Sequence, residues 1–248
     1  YEPYWLGRIT PESLHAWAEA MKLTYADRSR FMGDTDFVDV PLTGLTSKAY
    51  AKTQFARIKS SQVMDHPEPG DPWAYESGST SHFSVGDDEG NLVACTQTIN
   101  HFFGSGITVP GRGILLNDQM DDFTKRPGRA NSIAPGKRPL SSMSPTLLLE
   151  DGQPFAAIGS PGGKRIISTM GLLISRLIDY DMDLQAAIES PRITNYENGK
   201  LTIESRIPQM IQDILQLKGH ELSVRKEFDL YFGGAQGVLI DHETGELI

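Results

Sequence analysis

The chain has 248 residues, 39% of them hydrophobic and 22% charged, with a formal net charge of −9. That length and balance fit one globular core, or two. The acidic balance argues against nonspecific association with nucleic acid or anionic lipid, and no apolar run reaches the eighteen or so residues of a membrane span.

In chain order, the first predicted element is a helix. Thr10 stands where a capping residue belongs, with Pro11 in the first turn, and Leu14, Ala18, Met21 and Tyr25 recur as one apolar stripe. A shorter helix follows from Ser47 to about Ile58, with Thr46 as its cap. Residues 60–79 change character: Pro67, Pro69, Gly70, Pro72, Ser77, Gly78 and Ser79 predict an exposed linker. Residues 80–86 and 92–99 then alternate around "DDEGN" as a hairpin. "GILLN" (113–117) predicts a further strand, and "SPTLLLEDGQPFAAIG" (144–159) predicts two more joined at Asp151-Gly152. A glycine run feeds a long apolar helix, a short helix covers 184–190, and another spans Pro208 to Leu217 with Gly219 as its left-handed cap. "ELSV" and "QGVLID" return to strand. Hairpins beside helices, without regular βαβ alternation, predict an α+β layered fold. The single cysteine, Cys95, cannot form an internal disulfide and reads as a buried strand thiol. The chain opens on Tyr1 and closes inside a hairpin signal, so it reads as an internal piece of a longer polypeptide.

Chemistry concentrates after residue 79. Thr80, His82 and Ser84 share one face of the first strand. A threonine hydroxyl needs a base to become a nucleophile, and one solution makes it the first residue of a chain, so that its own α-amine takes the proton. Here that requires cutting Ser79–Thr80. An ordinary strand threonine is the plain alternative. No acid stands at a spacing that would build a Ser-His-Asp arrangement around His82. "GSPGG" (159–163) fits an oxyanion hole, an anion cradle or a simple tight turn, and lacks the spacing of a P-loop. "LLNDQMDDF" (115–123) gathers acids and amides, the groups an ammonium needs, while an EF-hand register fails. "KRPLSSMSP" (137–145) offers hydroxyls beside cations, a set that can hold a carboxylate.

Taken in order, "AEAMKLTYADRSRFMGDTDFVDVPLTGLTSKAYA", "TSHFSV", "TQTIN", "FGSGI", "GILLNDQMDDF", "KRPLSSMSPT" and "GSPGG" resemble the γ-glutamyltranspeptidase family of N-terminal nucleophile hydrolases. The resemblance implies an αββα sandwich, incomplete because the upstream part of the large subunit is absent. Residues 1–79 would be the end of the large subunit, and 80–248 the small catalytic subunit, truncated at its end; the two form a heterodimer after cleavage at Ser79–Thr80. Thr80 would be the nucleophile and Thr98 its supporting hydroxyl. Asn100, Gln119 and Asp122 would hold the substrate's amino group, Ser141 and Ser142 its carboxylate, and Gly162 and Gly163 the oxyanion. The family's carboxylate-clamping arginine lies upstream of Tyr1. Asp118 stands where asparagine is usual, and "TSH" replaces "TTH".

The resemblance implies glutathione-like γ-glutamyl donors, water or amino-acid and peptide acceptors, no metal and no organic cofactor, and a periplasmic or secreted setting. Alternatives are a poly-γ-glutamate depolymerase, a cephalosporin-type acylase, or an uncleaved relative that only binds γ-glutamyl ligands. The connection "TKRPGRANSIAPG" (124–136) lacks any aromatic residue, which predicts an open cleft with Lys125, Arg126 and Arg129 near its mouth.

Overall fold

Helix α1 (Pro11–Phe31) begins where the sequence places it. The Thr10 hydroxyl accepts the Ser13 N–H at 3.1 Å, and Ser13 Oγ accepts the Thr10 N–H at 3.1 Å, a reciprocal capping box. The computed structural model describes residues 9–64, 80–196 and 199–248; the predicted linker signals from Pro67 to Ser79 lie outside the described residues. Two short helices follow, α2 (Leu42–Leu45) and α3 (Lys48–Phe55). Ser47 caps α3, not Thr46. Ser47 is extended (φ −78°, ψ 141°) and accepts the Tyr50 N–H at 3.1 Å, whereas Thr46 ends α2 in helical geometry and bonds the Leu42 carbonyl.

Strands β1 (Thr80–Gly86) and β2 (Leu92–Thr98) pair antiparallel with Thr80 opposite Thr98. A second sheet has the order β3–β4–β8, from β3 (Thr146–Glu150), β4 (Gln153–Gly159) and β8 (Gln236–Leu239). Between β4 and β8 lie α4 (Ile166–Ile178), α5 (Leu184–Glu189), β5 (Ile193–Thr194), β6 (Leu201–Glu204), α6 (Gln209–Leu217) and β7 (Leu222–Arg225). The last three strands form a third sheet, in which β6 and β7 run parallel and α6 is the crossover. Strands β5 and β6 are too short to register as periodic runs, so this one βαβ unit escapes the sequence pattern.

"GILLN" does not become a strand. Residues 113–117 make a single bridge, Leu115 with Thr108, because positive φ at Phe103, Gly104, Gly106, Gly111 and Gly113 keeps the segment turning. Cys95 is half-buried in β2 rather than enclosed.

The core has two parts. The α1 stripe of Leu14, Ala18, Met21 and Tyr25 is buried against Leu172 of α4, Ile203 of β6 and Leu215 of α6. Leu14→Ala therefore costs about 2–5 kcal/mol. On the other side, Met170 and Leu173 of α4 meet Ile158 of β4 and Leu184 of α5. Helix α4 thus faces both clusters.

The hairpin inverts the usual pattern. Its hydroxyl-bearing face turns inward and His82 is buried, while Phe83, Val85 and Val93 on the other face are exposed among the described residues. The His82 ring lies against Gly159, where a Cβ would meet it at 2.2 Å, so glycine is required at the end of β4. Burial lowers the His82 pKa. The neutral ring is matched by Thr96 Oγ1 at 2.8 Å and Ser84 Oγ at 3.0 Å.

A second buried pair joins α1 to the turn after α6. His15 Nε2 meets the Lys59 carbonyl at 2.7 Å, which leaves His15 Nδ1 to accept the His220 Nε2–H at 2.8 Å. Burial pushes His220 down from 6.5 to about 3, and the nearby charges of Lys22 and Lys218 act the same way. The native ring therefore stays neutral where an unfolded one has taken a proton. The contribution of His220 to stability is full above about pH 6.5 and falls toward about pH 3, with a slope of up to about 1.4 kcal/mol per pH unit. His220→Gln should flatten that slope in urea melts between pH 7 and 4; an unchanged slope would assign the acid sensitivity elsewhere.

Candidate active site

The candidate residues lie on the β1–β2 hairpin, which begins at Thr80, and on three loops. Thr80 Oγ1 donates to Thr98 Oγ1 at 3.4 Å, across the register that pairs the two residues. Thr98 Oγ1 also accepts the Asn100 N–H at 2.9 Å. Asn100 is buried and left-handed (φ 74°), so the chain reverses there. Two contacts stitch the reversed chain to the acidic segment. Asp118 N–H donates to the Ile99 carbonyl at 3.2 Å, and Asn100 Nδ2 lies 3.5 Å from the Asp118 carbonyl.

Asp118 then begins a 3-10 turn, Gln119–Asp122. Gln119 Nε2 donates to Asp122 Oδ2 at 2.8 Å. Burial raises the Asp122 pKa; the Gln119 donor and the charges of Arg28 and Lys164 pull it back, and Asp121 pushes it up again, with a net rise. The carboxylate is therefore costly to leave without a cation and is suited to receive one. Asp118 behaves differently. Burial pushes it up, but the His101 backbone N–H at 3.1 Å and the His101 imidazole at 2.6 Å outweigh that, and the net shift is down. The sequence reading left His101 aside; its place directly after "TQTIN" was the available signal.

The serine loop has matching polarity. Ser141 Oγ accepts the Met143 N–H at 3.1 Å, and Ser142 Oγ accepts from Arg28 Nη2 at 3.0 Å. Both serine oxygens act as acceptors in these bonds, and each hydroxyl keeps one O–H donor. Asn131 joins the two halves. Its Nδ2 donates to the Asp122 carbonyl at 2.7 Å, and its Oδ1 accepts the Leu140 N–H at 3.0 Å. Residues 125–129 of the same connection are exposed, with Lys125 3.6 Å from Asp121.

The glycine run turns sharply before α4. Gly162 (φ 139°) and Gly163 (φ 57°) both have positive φ, and Gly163 opens the 3-10 turn before α4. Tyr25 fixes this turn from outside by donating its hydroxyl to the Lys164 carbonyl at 2.7 Å. Burial pushes the Tyr25 phenol up to about 12, so it remains a donor at any physiological pH.

Nine of the ten sequence-predicted site residues lie on these loops and the β1–β2 hairpin; the tenth, Ser79, lies outside the described residues. Hydrogen bonds link Thr80, Thr98 and Asn100 as one set, and Gln119 and Asp122 as another. The upstream contributors Tyr25, Arg28 and Asp34 were missed, since nothing local marks a helix face for contact with loops more than a hundred residues away. A His15–Glu19–His220 cluster has ligand atoms within 4.8 Å of one another. Its donors are already engaged, the two rings with each other and Glu19 with Lys22 at 2.9 Å.

Residues 4–247 match the gamma-glutamyltranspeptidase family. The chain belongs to that family. It is 40% identical over 250 residues to the glutathione hydrolase proenzyme of Bacillus subtilis (strain 168), covering 94% of this chain and 42% of that one. Among solved structures, the cephalosporin acylase of Bacillus halodurans is similar over 97% of this chain and 43% of its own, at 29% identity and a TM-score of 0.86. An acivicin-inhibited gamma-glutamyltranspeptidase is similar over 67% of this chain and 93% of its own, at 37% identity and a TM-score of 0.61. This gamma-glutamyltranspeptidase-family chain thus spans about two-fifths of the length of the curated relatives it matches. Its fold is the α+β fold of the N-terminal nucleophile hydrolases. Among the described residues, no helix is long and apolar enough to cross a membrane.

The serine loop is anchored by Arg138. Its Nη2 and Nε reach Asp34 at 2.6 and 3.1 Å, its backbone N–H reaches Asp34 at 2.8 Å, and Nη2 also meets Asp36 at 2.7 Å. Such a forked, charge-assisted contact fixes the loop's register. Arg138→Met should speed amide exchange at Leu140 and Met143 while leaving β3 and β4 protected. Uniform loss of protection would mean a global defect instead.

Proposed function

We propose that the protein is a γ-glutamyl hydrolase and transferase whose nucleophile is Thr80, freed by cleavage of the Ser79–Thr80 bond. The observation that supports this reading is a pair of polar sets on the candidate loops: an acid–amide pair in which Gln119 donates to Asp122, and a serine loop in which Arg28 donates to Ser142. A γ-glutamyl group ends in an α-ammonium and an α-carboxylate, and this arrangement complements both.

Maturation starts with attack of the Thr80 hydroxyl on the Ser79 carbonyl. The peptide C–N bond breaks as the C–O bond forms, and water opens the resulting ester. Ser79 is left with a carboxylate and Thr80 with a free α-amine. That amine then serves as base for the same hydroxyl. In turnover, Thr80 Oγ1 attacks the γ-carbonyl while its proton passes to the α-amine, and Thr98 holds the hydroxyl in line. The tetrahedral oxyanion is stabilised by N–H groups at Gly162 and Gly163. The proton moves on to the departing amine, which leaves a γ-glutamyl ester on Thr80. Water or an acceptor amine then attacks that ester. Asn100 helps hold the substrate ammonium. The part before the cut and the part after it remain together as a heterodimer.

A cephalosporin-type acylase is the second reading, favoured by the likeness to the Bacillus halodurans acylase. An acyl group without an α-ammonium would make no use of Asp122, and this separates the two.

Full-length Thr80→Ala protein should remain one uncut, inactive chain in intact-mass analysis. Cutting of that variant at the same bond would overturn the assignment. Asp122→Asn should still be cut, yet lose about 2–5 kcal/mol of transition-state stabilisation in kcat/KM for γ-glutamyl-p-nitroanilide. An undiminished kcat/KM would favour the acylase reading.

A further inference from the structure

We propose that Tyr25 is a positioning residue for the oxyanion turn, acting through the Lys164 carbonyl. The inference rests on the γ-glutamyl reading above, in which N–H groups at Gly162 and Gly163 stabilise the tetrahedral oxyanion. It gives the part of the chain before Ser79–Thr80 a share in the chemistry, beyond its place in the core.

The turn is held at three points. At its entry, Gly159 lies against the His82 ring, where a Cβ would meet it at 2.2 Å. In its middle it abuts a second turn: a Cβ on Gly233 would meet the Pro161 carbonyl at 1.9 Å, and one on Gly162 would meet Gly233 Cα at 3.5 Å. At its exit, the Tyr25 hydroxyl donates to the Lys164 carbonyl at 2.7 Å. The first two are steric contacts, which limit where the chain runs. A hydrogen bond to a carbonyl also sets the direction of its peptide plane. That carbonyl stands two peptide planes beyond the Gly163 N–H, and Gly163 between them has positive φ (57°). A glycine has many backbone conformations open to it, so the direction of its N–H depends on what holds the planes on either side.

The donor itself is fixed by packing. The Tyr25 ring is buried in the α1 stripe and meets Tyr196 edge to face, with ring centroids 4.7 Å apart. Removing the hydroxyl and keeping the ring therefore releases the turn while the core stays filled. An oxyanion exists only in the tetrahedral states, both when the ester forms and when it is opened. A misdirected N–H thus raises those barriers and leaves binding of the amino-acid head unchanged.

The test compares matured full-length wild type, Tyr25→Phe and Leu14→Val, the last a small loss in the same core stripe. Tyr25→Phe should lower kcat for γ-glutamyl-p-nitroanilide about 10–100-fold. Two inhibitors separate the states. L-Glutamate reports binding of the head alone. With 2-amino-4-boronobutyrate, Thr80 Oγ1 adds to the trigonal boron as the hydroxyl proton passes to the α-amine, and the tetrahedral anion so formed mimics the intermediate. Tyr25→Phe should weaken the boronate in step with kcat and leave L-glutamate within about twofold. Leu14→Val should keep kcat and both inhibition constants within about twofold. Amide exchange, read on cut or uncut Tyr25→Phe, should quicken at Arg165, whose N–H bonds the Gly162 carbonyl at 3.2 Å, with the amides of β4 still protected. Wild-type kcat in Tyr25→Phe, equal weakening of both inhibitors, an equal loss in Leu14→Val, or exchange that is unchanged or uniformly faster would each overturn the inference alone. A wild type that binds neither inhibitor would instead overturn the γ-glutamyl reading and this inference with it.

Discussion

Helix α1 holds loops that lie beyond Thr80 in the chain, and the hydrogen bond from the Tyr25 hydroxyl to the Lys164 carbonyl is where that constraint is tightest. Tyr25 is buried in the α1 stripe, so its ring position is set by core packing and its hydroxyl position follows. Within the glycine turn Ser160 Oγ donates to the Pro161 carbonyl at 2.7 Å, while Gly162 and Gly163 have no side chain to hold them. Without a donor at the Lys164 carbonyl, a turn built on two positive-φ residues has other conformations within reach. Arg28 repeats the arrangement further along the helix, at Ser142, and Asp34, just past the end of the helix, does so at Arg138. The apolar packing of one helix is thereby converted into the placement of two polar loops.

Electrostatics in the site depends on that placement. Asp122 is partly buried, and its carboxylate is kept usable by Gln119 and by the nearby charges of Arg28 and Lys164. Asp118, four residues earlier, has its charge answered by His101 and takes a structural part instead. Two acids in one short turn thus have different fates, and the neighbours decide which is which.

The hairpin answers a separate demand. A strand that presents Thr80 at its first position must be rigid there, and the inward row of Thr80, His82, Ser84, Thr96 and Thr98 is polar. His82 makes this row tolerable: its neutral ring is bonded on both nitrogens and seated against a glycine, so little buried polarity is left without a partner.

Much of the architecture was legible from local pattern. The Thr10 cap, the α1 stripe, the hairpin after residue 79 and the Asp151-Gly152 turn follow from residues within a few positions of one another, where propensity and period act directly. The candidate residues Thr80, Asp122, Ser141, Ser142 and Gly162 were legible as residue types in an ordered set. The sequence could not show that Ser47 rather than Thr46 caps α3, because that depends on which of two adjacent hydroxyl residues is extended. Nor could it show that "GILLN" turns instead of pairing, or that β6 and β7 run parallel. The tertiary structure alone decided that Arg28 meets Ser142, that Asp34 meets Arg138 and that His82 meets Gly159. Those contacts join residues far apart in the chain, and their geometry is set by how the core packs rather than by any local preference.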